Sequence, residues 1–279
     1  MMKKNSNKKS VLITGCSSGI GLDAAHALTR EGFHVIASVR QAKDRALLTN
    51  NNIECIQLDL SDETSIDKAV NYINEHHSDL YGLVNNGAYG QAGAVEDLSR
   101  DALRKQFETN VFGTHELTQK IIPLFRNNGR GRIVQISSVL GVIALPMRGA
   151  YNASKFALEG LTDTQRLELM DTNIKISLIE PGAIETKFRE NCLHYFMKHI
   201  DSENSLYKKQ YSMMQERLNR KGPNKFTAPA ERVSKDILHA LTSNKPKIRY
   251  RITTPTVIGA KLKRILTDRM MDKISANKG

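Results

Sequence analysis

The stretch Ser10-Val-Leu-Ile-Thr-Gly15-Cys-Ser-Ser-Gly19-Ile-Gly21 decides the fold of this chain. A short β-branched run, Val11–Thr14, leads into three glycines and then into the helical segment Ile20–Glu31. Glycine permits a tight turn, and it lets backbone N–H groups approach a pyrophosphate at the positive end of a helix. The spacing is GxxxGxG. Its place between a first strand and a first helix predicts a dinucleotide-binding loop.

Short apolar runs alternate with longer helical segments from this loop to about residue 180. Strands are predicted at Val11–Thr14, His34–Val39, Ile53–Leu58, Leu80–Val84, Arg132–Ser137 and Lys175–Ile179. Helices are predicted at Ile20–Glu31, Asp62–His76, Arg100–Asn127 and Tyr151–Met170. This alternation implies right-handed crossovers between parallel strands. The predicted fold class is therefore α/β, a single Rossmann-type doubly wound parallel sheet with helices on both faces.

The pattern divides the chain into a tail, a domain and a last helix. Residues 1–9 are a basic N-terminal tail, 10–255 the Rossmann-fold oxidoreductase domain, and 256–279 a basic amphipathic C-terminal helix. Within the domain, residues 187–226 form an insertion rich in aromatic residues and methionine. A long segment beside a binding loop often forms a substrate lid. Its aromatic residues have the alternative of packing against one another.

Composition and charge limit the possible partners. The 279 residues are 40% hydrophobic with a net charge of +12, and the excess lies in the first ten residues and in residues 245–279. Because residues 11–244 balance to zero, no nucleic-acid groove is expected. The basic last helix indicates peripheral membrane contact, or docking on its own domain or a sister subunit. With no signal peptide and no membrane-spanning run, a cytoplasmic location is expected.

Cysteine and histidine positions argue against a metal site. The three cysteines, Cys16, Cys55 and Cys192, are far apart and form no CxxC pair. Neither a zinc site nor a disulfide framework is therefore predicted. His76-His77 closes a polar helix and is predicted to face solvent rather than to bind a metal. No bound metal ion is expected.

The end of the second strand indicates which dinucleotide binds. A carboxylate at this position would hydrogen-bond a ribose 2′-hydroxyl and repel a 2′-phosphate. The chain reads Ile36-Ala37-Ser38-Val39-Arg40, with an arginine and no acid. Because a guanidinium binds phosphate through paired hydrogen bonds, NADP(H) is the predicted cofactor.

Four polar features follow later strands and helices. Asn110 lies in a helix, Ser138 ends a strand, Tyr151 and Lys155 are separated by one helical turn, and Pro181-Gly182 follows the sixth strand. A hydride that reaches a carbonyl carbon leaves an alkoxide that needs a proton, which a phenol can donate. A lysine ammonium a few ångströms away stabilises a phenolate by roughly 3–4 kcal/mol at an effective dielectric constant near 20. We therefore expect Lys155 to lower the pKa of Tyr151.

Together these motifs resemble the short-chain dehydrogenase/reductase family over nearly all of residues 10–190. Within it the chain is similar to bacterial NADP-dependent aldehyde reductases and to the retinol and 17β-hydroxysteroid dehydrogenase group. The resemblance implies a catalytic tetrad of Tyr151, Lys155, Ser138 and Asn110, with Asn110 in a water-mediated proton relay to the lysine. It implies that the cofactor contacts Gly15, Ser17, Ser18, Gly19, Ile20, Gly21, Arg40, Asp59, Leu60, Asn86, Gly87, Tyr151, Lys155, Pro181, Gly182, Ile184 and Thr186. It also implies a homodimer or homotetramer.

One motif departs from the family pattern. The usual Asn-Asn-Ala-Gly reads here Asn85-Asn86-Gly87-Ala88. Exchanging two small residues keeps space for the cofactor but leaves the turn after Asn86 unspecified.

The substrate is expected to be a small, predominantly apolar carbonyl compound or alcohol. Its predicted contacts are Ser138, Leu140, Leu145 and Tyr151, because residues 139–147 are an apolar run between the serine and the tyrosine. Gln91, Arg148 and Arg189 are polar exceptions near this pocket. Reduction of an aldehyde or ketone, or the reverse reaction, is the leading function. A 3-oxoacyl thioester reductase is the alternative, followed by a non-enzymatic NADP-binding sensor.

Overall fold

The computed structural model describes residues 8–220, 222 and 226–276. Most of the predicted tail 1–9 therefore lies outside the described residues. The strands are β1 (Ser10–Ile13), β2 (His34–Val39), β3 (Glu54–Gln57), β4 (Gly82–Asn85), β5 (Gly131–Ile136), β6 (Ile174–Pro181) and β7 (Arg249–Ile252). They form one parallel sheet in the order β3-β2-β1-β4-β5-β6-β7.

Helices connect the strands and cover the sheet. They are α1 (Gly19–Arg30), α2 (Ala46–Thr49), α3 (Glu63–His76), α4 (Arg100–Phe107), α5 (Thr114–Asn127), α6 (Gly149–Glu168), α7 (Phe188–His199), α8 (Lys208–Asn219), α9 (Ala230–Thr242), α10 (Thr254–Ile265) and α11 (Asp268–Ala276). Two apolar clusters lie on opposite faces of the sheet, one including Val11 and Ile237, the other Leu12 and Ile121. This arrangement confirms the predicted doubly wound Rossmann-type fold.

The strand order places the functional site. Its direction reverses between β1 and β4, so the loops after these two strands diverge and leave a crevice at the carboxyl edge of the sheet. Ligands bind at such switch points in open α/β sheets. The glycine loop follows β1, and Asn86 follows β4.

The predicted helix Arg100–Asn127 contains an irregular turn. Between α4 and α5, residues Glu108–Gly113 form a π-helical segment. Such segments widen a helix by one residue and often occur at functional sites. Here the widened turn contains Asn110, which is 1% exposed.

The insertion 187–226 is mostly helical. Helices α7 and α8 pack on Ala92 and Ala94 through an apolar cluster that includes Cys192, Phe196, Ile200, Tyr211, Met214 and Leu218. Several of its aromatic residues and methionines therefore pack internally, which was the alternative to a lid role.

The prediction of one C-terminal helix is wrong. The chain is extended at Leu266 (φ −85°, ψ 150°), which separates α10 from α11. Thr267 precedes α11 and Asp268 opens it, both residue types that favour a helix start. The side of α10 that packs on the domain contains Thr256, Gly259 and Ala260, whereas Ile258 and Ile265 are exposed. Among the described residues, none of the helices combines the length and apolar character that crossing a bilayer requires.

Candidate active site

The loop after β1 has a conformation that requires its glycines. Gly15 and Gly19 have φ values of +71° and +58°, the left-handed region that glycine adopts without strain. A Cβ atom on Gly21 would lie 2.4 Å from the Gly15 carbonyl oxygen. The loop is therefore too close to helix α1 for any larger residue at position 21.

The N-terminus of α1 is suited to an anion. Ser18 precedes the helix, and among the described residues its side chain caps no backbone N–H group. The first turn, Gly19-Ile20-Gly21-Leu22, has no acidic residue. The N–H groups of Gly19, Ile20 and Gly21 and the positive end of the helix are thus suited to a phosphate, whereas Leu22 N–H donates to the Ser18 carbonyl. The predicted residues Gly15 to Gly21 fit a dinucleotide pyrophosphate.

The loop after β4 is joined to the glycine loop by hydrogen bonds. The Asn86 side-chain amide donates to the carbonyl oxygens of Thr14 and Gly15 at 2.9 and 3.0 Å. The Thr14 hydroxyl accepts from the backbone N–H groups of Asn86 and Gly87 at 2.9 and 2.8 Å. Asn86 therefore shapes the cofactor loop with its side chain.

The exchanged Gly87-Ala88 pair is compatible with this arrangement. The turn does not place Gly87 at a positive φ. A Cβ atom there would lie 3.0 Å from the end of the flexible Leu60 side chain. It would also lie 3.3 Å from the Thr14 hydroxyl oxygen, so glycine gives this turn more room than alanine would.

The end of β2 carries a positively charged side chain. Arg40 Nη1 donates to the Tyr195 hydroxyl of α7 at 3.0 Å. This hydrogen bond is the main cause that raises the pKa of Arg40, and Asp59 and Asp44 contribute. Asp59 Oδ1 accepts from both the backbone N–H and the hydroxyl of Ser61. The structure thus brings Arg40 and Asp59 together at the outer end of the cleft.

The segment after β6 closes the other side of the cleft. Gly182 N–H donates to the Ile252 carbonyl at 3.0 Å, and a Cβ atom on Gly182 would lie 2.2 Å from Thr253 Oγ1. A Cβ atom on Gly19 would lie 2.7 Å from Thr186 Cγ2. Thr186 is therefore adjacent to the glycine loop after β1. Ile184 packs against the apolar core instead.

Tyr151 and Lys155 are both buried in the first turns of α6. Lys155 Nζ donates to the Ile136 carbonyl oxygen at 2.7 Å and lies 5.8 Å from the centre of the Tyr151 ring. Burial lowers the pKa of Lys155, and the negative charge of Glu159 partly offsets this effect. The resulting pKa is about 8. The lysine therefore remains mostly protonated at neutral pH and loses its charge as the pH rises through about 8.

The expectation that Lys155 lowers the pKa of Tyr151 does not hold in this structure. Burial raises the pKa of Tyr151 far above 10, and the opposing effects come from Ser138 and Arg148. The reason is geometric, because the ammonium points to the Ile136 carbonyl and the phenol is enclosed by protein. Tyr151 therefore holds its proton firmly at neutral pH.

The side chains of Ser138 and Asn110 form different sets of hydrogen bonds near α6. Ser138 is 8% exposed, and its hydroxyl accepts from Leu140 N–H at 3.1 Å. Asn110 donates to the Tyr89 carbonyl and the Ser154 hydroxyl, and accepts from Tyr89 N–H. Asn110 thus reaches helix α6 through the Ser154 hydroxyl.

A cavity of about 70 Å³ lies beside Tyr151. Its walls are Gly90, Gln91, Leu140, Arg148, Tyr151, Phe188, Arg189, Cys192 and Leu218. Leu140 lines it as predicted, whereas Leu145 is not in its wall and accepts from Asn152 through its carbonyl. The Phe188 ring lies 5.3 Å from that of Tyr151.

Several cavity residues were missed by the sequence analysis. Phe188, Cys192 and Leu218 come from α7 and α8, whose sequences have no motif that points to the tyrosine. Arg148 was visible only as a polar exception three residues before Tyr151.

A second polar cluster lies at the opposite edge of the sheet. Glu54 accepts from His34 Nε2 at 2.7 Å, His77 Nε2 at 2.8 Å and the Tyr72 hydroxyl at 2.8 Å. The side chain of His77 is only 12% exposed, so the prediction that it faces solvent is wrong. His76 is exposed as predicted.

Comparison with known proteins identifies the family. The short chain dehydrogenase family model matches residues 9–194. The uncharacterized oxidoreductase YbbO of Escherichia coli K12 is 40% identical over 96% of this chain and 94% of its own length. Bovine retinol dehydrogenase 8 is 36% identical over 66% of this chain and 62% of its own.

A solved structure agrees with this match. ElxO with NADP bound is 26% identical, has a TM-score of 0.72, and aligns with 90% of this chain and 100% of its own. The chain therefore belongs to the short-chain dehydrogenase/reductase family, oxidoreductases that interconvert CH–OH and C=O groups with a nicotinamide cofactor.

Proposed function

We propose that this enzyme uses NADP(H) to interconvert an aldehyde or ketone of mainly apolar character and its alcohol, with Tyr151 as the acid–base group. The observation that carries this proposal is the position of Tyr151. It lies on α6 next to Ser138 and Lys155, and it forms one wall of a largely apolar cavity.

Arg40 supports the choice of NADP(H) over NAD(H). It is a permanent cation at the end of β2, and the sequence provides no carboxylate between Ile36 and Arg40. A ribose 2′-phosphate would form charge-assisted hydrogen bonds with it. ElxO, a relative in fold and sequence, was solved with NADP bound.

The proposed chemistry separates hydride and proton transfer. When bound, the nicotinamide supplies or accepts the hydride. The Tyr151 hydroxyl donates a proton to the developing alkoxide, which its raised pKa allows because the group stays protonated at neutral pH. Ser138 hydrogen-bonds the substrate oxygen. The charged form of Lys155 stabilises the phenolate that remains.

The cavity supports a mainly apolar substrate. Leu140, Phe188, Cys192 and Leu218 supply much of its wall. Two of these residues are on α7, whose Phe188 ring packs on Tyr151. We infer that residues 187–226, which include α7, act as a lid that moves when substrate enters.

The test is NADPH oxidation across aldehydes, ketones, steroids, retinoids and carrier-bound 3-oxoacyl thioesters. We expect turnover of free apolar carbonyls, and a loss of at least a hundredfold in Tyr151→Phe with an unchanged circular dichroism spectrum. Tyr72→Phe, at the far edge of the sheet, should retain activity. Turnover of carrier-bound thioesters alone would favour the alternative reductase. NADPH binding without turnover on any carbonyl would favour a sensor.

Assembly is a second part of the proposal. Phe112, Phe156 and Leu161 are 52%, 43% and 43% exposed on the layer formed by the π-helical segment and α6. Burial of such side chains favours association, so we infer a homodimer or homotetramer through this face. Light scattering of the wild type and of Phe156→Lys tests this inference. A cytoplasmic location and peripheral membrane contact remain predictions.

A further inference from the structure

Arg148 lies at the junction between the substrate cavity and the catalytic helix. It directly precedes α6, three residues before Tyr151, and lines the cavity together with Gln91 and Cys192. Each of the two groups acts on the pKa of the other, so the guanidinium and the phenol are close in space.

The guanidinium has no anionic partner. Among the described residues, no carboxylate forms an ion pair with Arg148, and its hydrogen-bond contact is the Met214 sulfur at 3.8 Å. Burial lowers its pKa, and the positive Arg217 lowers it further. The neighbouring Cys192 is no counterion, because burial raises the pKa of its thiol to about 11. Arg148 is only half-buried, but a partly desolvated cation without an anionic partner still gains from a ligand that provides the charge.

The backbone fixes Arg148 in this position. Met147 has a φ of +60°, a strained value for a residue other than glycine. Its carbonyl accepts from Gly93 N–H at 3.0 Å, and the Arg148 carbonyl accepts from Asn152 N–H at 2.7 Å. Strain that the surrounding contacts maintain is typical of functional sites.

We propose that Arg148 binds an oxyanion of the substrate, a carboxylate, sulfonate or phosphate close to the carbonyl that is reduced. The proposal rests on the function above and specifies its substrate class. Arg189, also in the cavity wall, adds positive charge on the same side. The substrate then has an apolar chain and a charged group rather than being a plain hydrocarbon carbonyl compound.

The spacing limits where the oxyanion lies on the substrate. Arg148 and Tyr151 both line the same cavity, whose volume is only about 70 Å³, so a ligand that contacts both spans a short distance. A carbonyl held by Tyr151 therefore places the oxyanion a few bonds away. Medium-chain 3-oxo acids satisfy this spacing, and their methyl esters have the same shape without the charge.

The test compares 3-oxododecanoate with its methyl ester as substrates for NADPH oxidation. We expect the wild type to prefer the acid. Arg148→Gln should lower kcat/KM for the acid roughly 10- to 100-fold, the value of a lost charge-assisted hydrogen bond, and change that for the ester by less than about threefold. Arg148→Lys should give an intermediate value. Arg100→Gln, an exposed arginine on α4, should match the wild type.

Equal losses for both substrates in Arg148→Gln, or no loss for either, would overturn the assignment. If that variant does not fold, equal kcat/KM for acid and ester in the wild type overturns it. If the wild type reduces no carbonyl compound, the proposed function fails instead. Calorimetry with dodecanoate against methyl dodecanoate then still tests Arg148, with equal binding of the two as the contrary result.

Discussion

The Arg40 guanidinium donates to the Tyr195 hydroxyl at 3.0 Å, and so joins the end of β2 to the middle of α7. The same helix begins at Phe188, whose ring packs on Tyr151. Helix α7 therefore connects the residue proposed to select the cofactor with the residue proposed to transfer the proton. Binding of a 2′-phosphate at Arg40 would replace or extend the contact with Tyr195, and would thereby affect the position of α7.

Replacement of Arg40 by alanine should weaken NADPH binding selectively. The dissociation constant for NADPH should rise about 10- to 100-fold, because charge-assisted hydrogen bonds to the 2′-phosphate are lost. The dissociation constant for NADH should change by less than about threefold. Fluorescence titration of both dinucleotides measures this, with Arg30→Ala, an exposed arginine at the end of α1, as the matched control. Equal weakening of both dinucleotides would contradict the role of Arg40.

Tyr195→Phe tests whether the contact with α7 competes with the cofactor. The variant removes the oxygen that accepts from Arg40 but preserves the ring that packs on Tyr89, 4.1 Å away between centroids. We expect NADPH to bind as tightly as in the wild type or a few-fold more tightly. In this variant Arg40 does not have to give up a hydrogen bond to residue 195 when it binds the 2′-phosphate. A tenfold weakening in the same titration would mean that the Tyr195 hydroxyl helps to hold the dinucleotide.

The reduction rate should fall above about pH 8. Burial lowers the pKa of Lys155 to about 8, so the lysine loses its charge as the pH rises through that value. A neutral lysine cannot stabilise the Tyr151 phenolate formed by proton donation. Tyr151 itself stays protonated across this range because its own pKa is raised. The expected profile of kcat/KM for reduction is flat near pH 6–7 and declines above about 8.

Glu159→Gln provides the matched variant for this profile. Glu159 raises the pKa of Lys155, so its neutralisation should move the decline to lower pH. A decline that stays in place, or moves to higher pH, would show that another group limits the reaction.

Local patterns were sufficient to predict the fold and the glycine-rich turn after β1. Gly15, Gly19 and Gly21 are dictated by backbone geometry within a few residues, and the strands alternate with helices at a readable spacing. Tyr151 and Lys155 are one helical turn apart, so their proximity also follows from sequence. The structure confirms these features because each depends on contacts between near neighbours.

Contacts between distant segments could not be predicted in this way. Phe188 reaches Tyr151, and Tyr195 reaches Arg40, through the docking of α7, which no local pattern specifies. The charge of Lys155 led us to expect a lowered pKa for Tyr151. Burial of the phenol by the whole fold raises that pKa instead, and burial is not visible in a local pattern. The end of α10 was missed because Thr267-Asp268 interrupts an apolar periodicity that continues past it.

Asn110→Ala should reduce both stability and activity. The side chain is 1% exposed and holds the Tyr89 backbone by its N–H and carbonyl, as well as the Ser154 hydroxyl. Leaving these groups unpaired should cost about 2–3 kcal/mol in the free energy of unfolding. Ser154→Ala, which removes one of the three bonds, should cost about 1 kcal/mol. Urea denaturation measures both, and similar values for the two variants would contradict this structural role.

Glu54→Gln should destabilise the protein near neutral pH and have less effect in acid. Burial alone raises the pKa of Glu54, but hydrogen bonds from His77, His34 and Tyr72 outweigh it, so the pKa falls from 4.5 to about 2. A carboxylate whose pKa is lower in the folded state stabilises the fold above its unfolded value of 4.5, and this contribution is lost as the pH falls towards 2. We expect a deficit of about 1–3 kcal/mol at pH 6–7 that shrinks steadily below pH 4.5. Urea denaturation at several pH values measures it, with the exposed Glu75→Gln as control. A deficit independent of pH between 6 and 3 would mean that packing, rather than the charge of Glu54, stabilises this edge of the sheet.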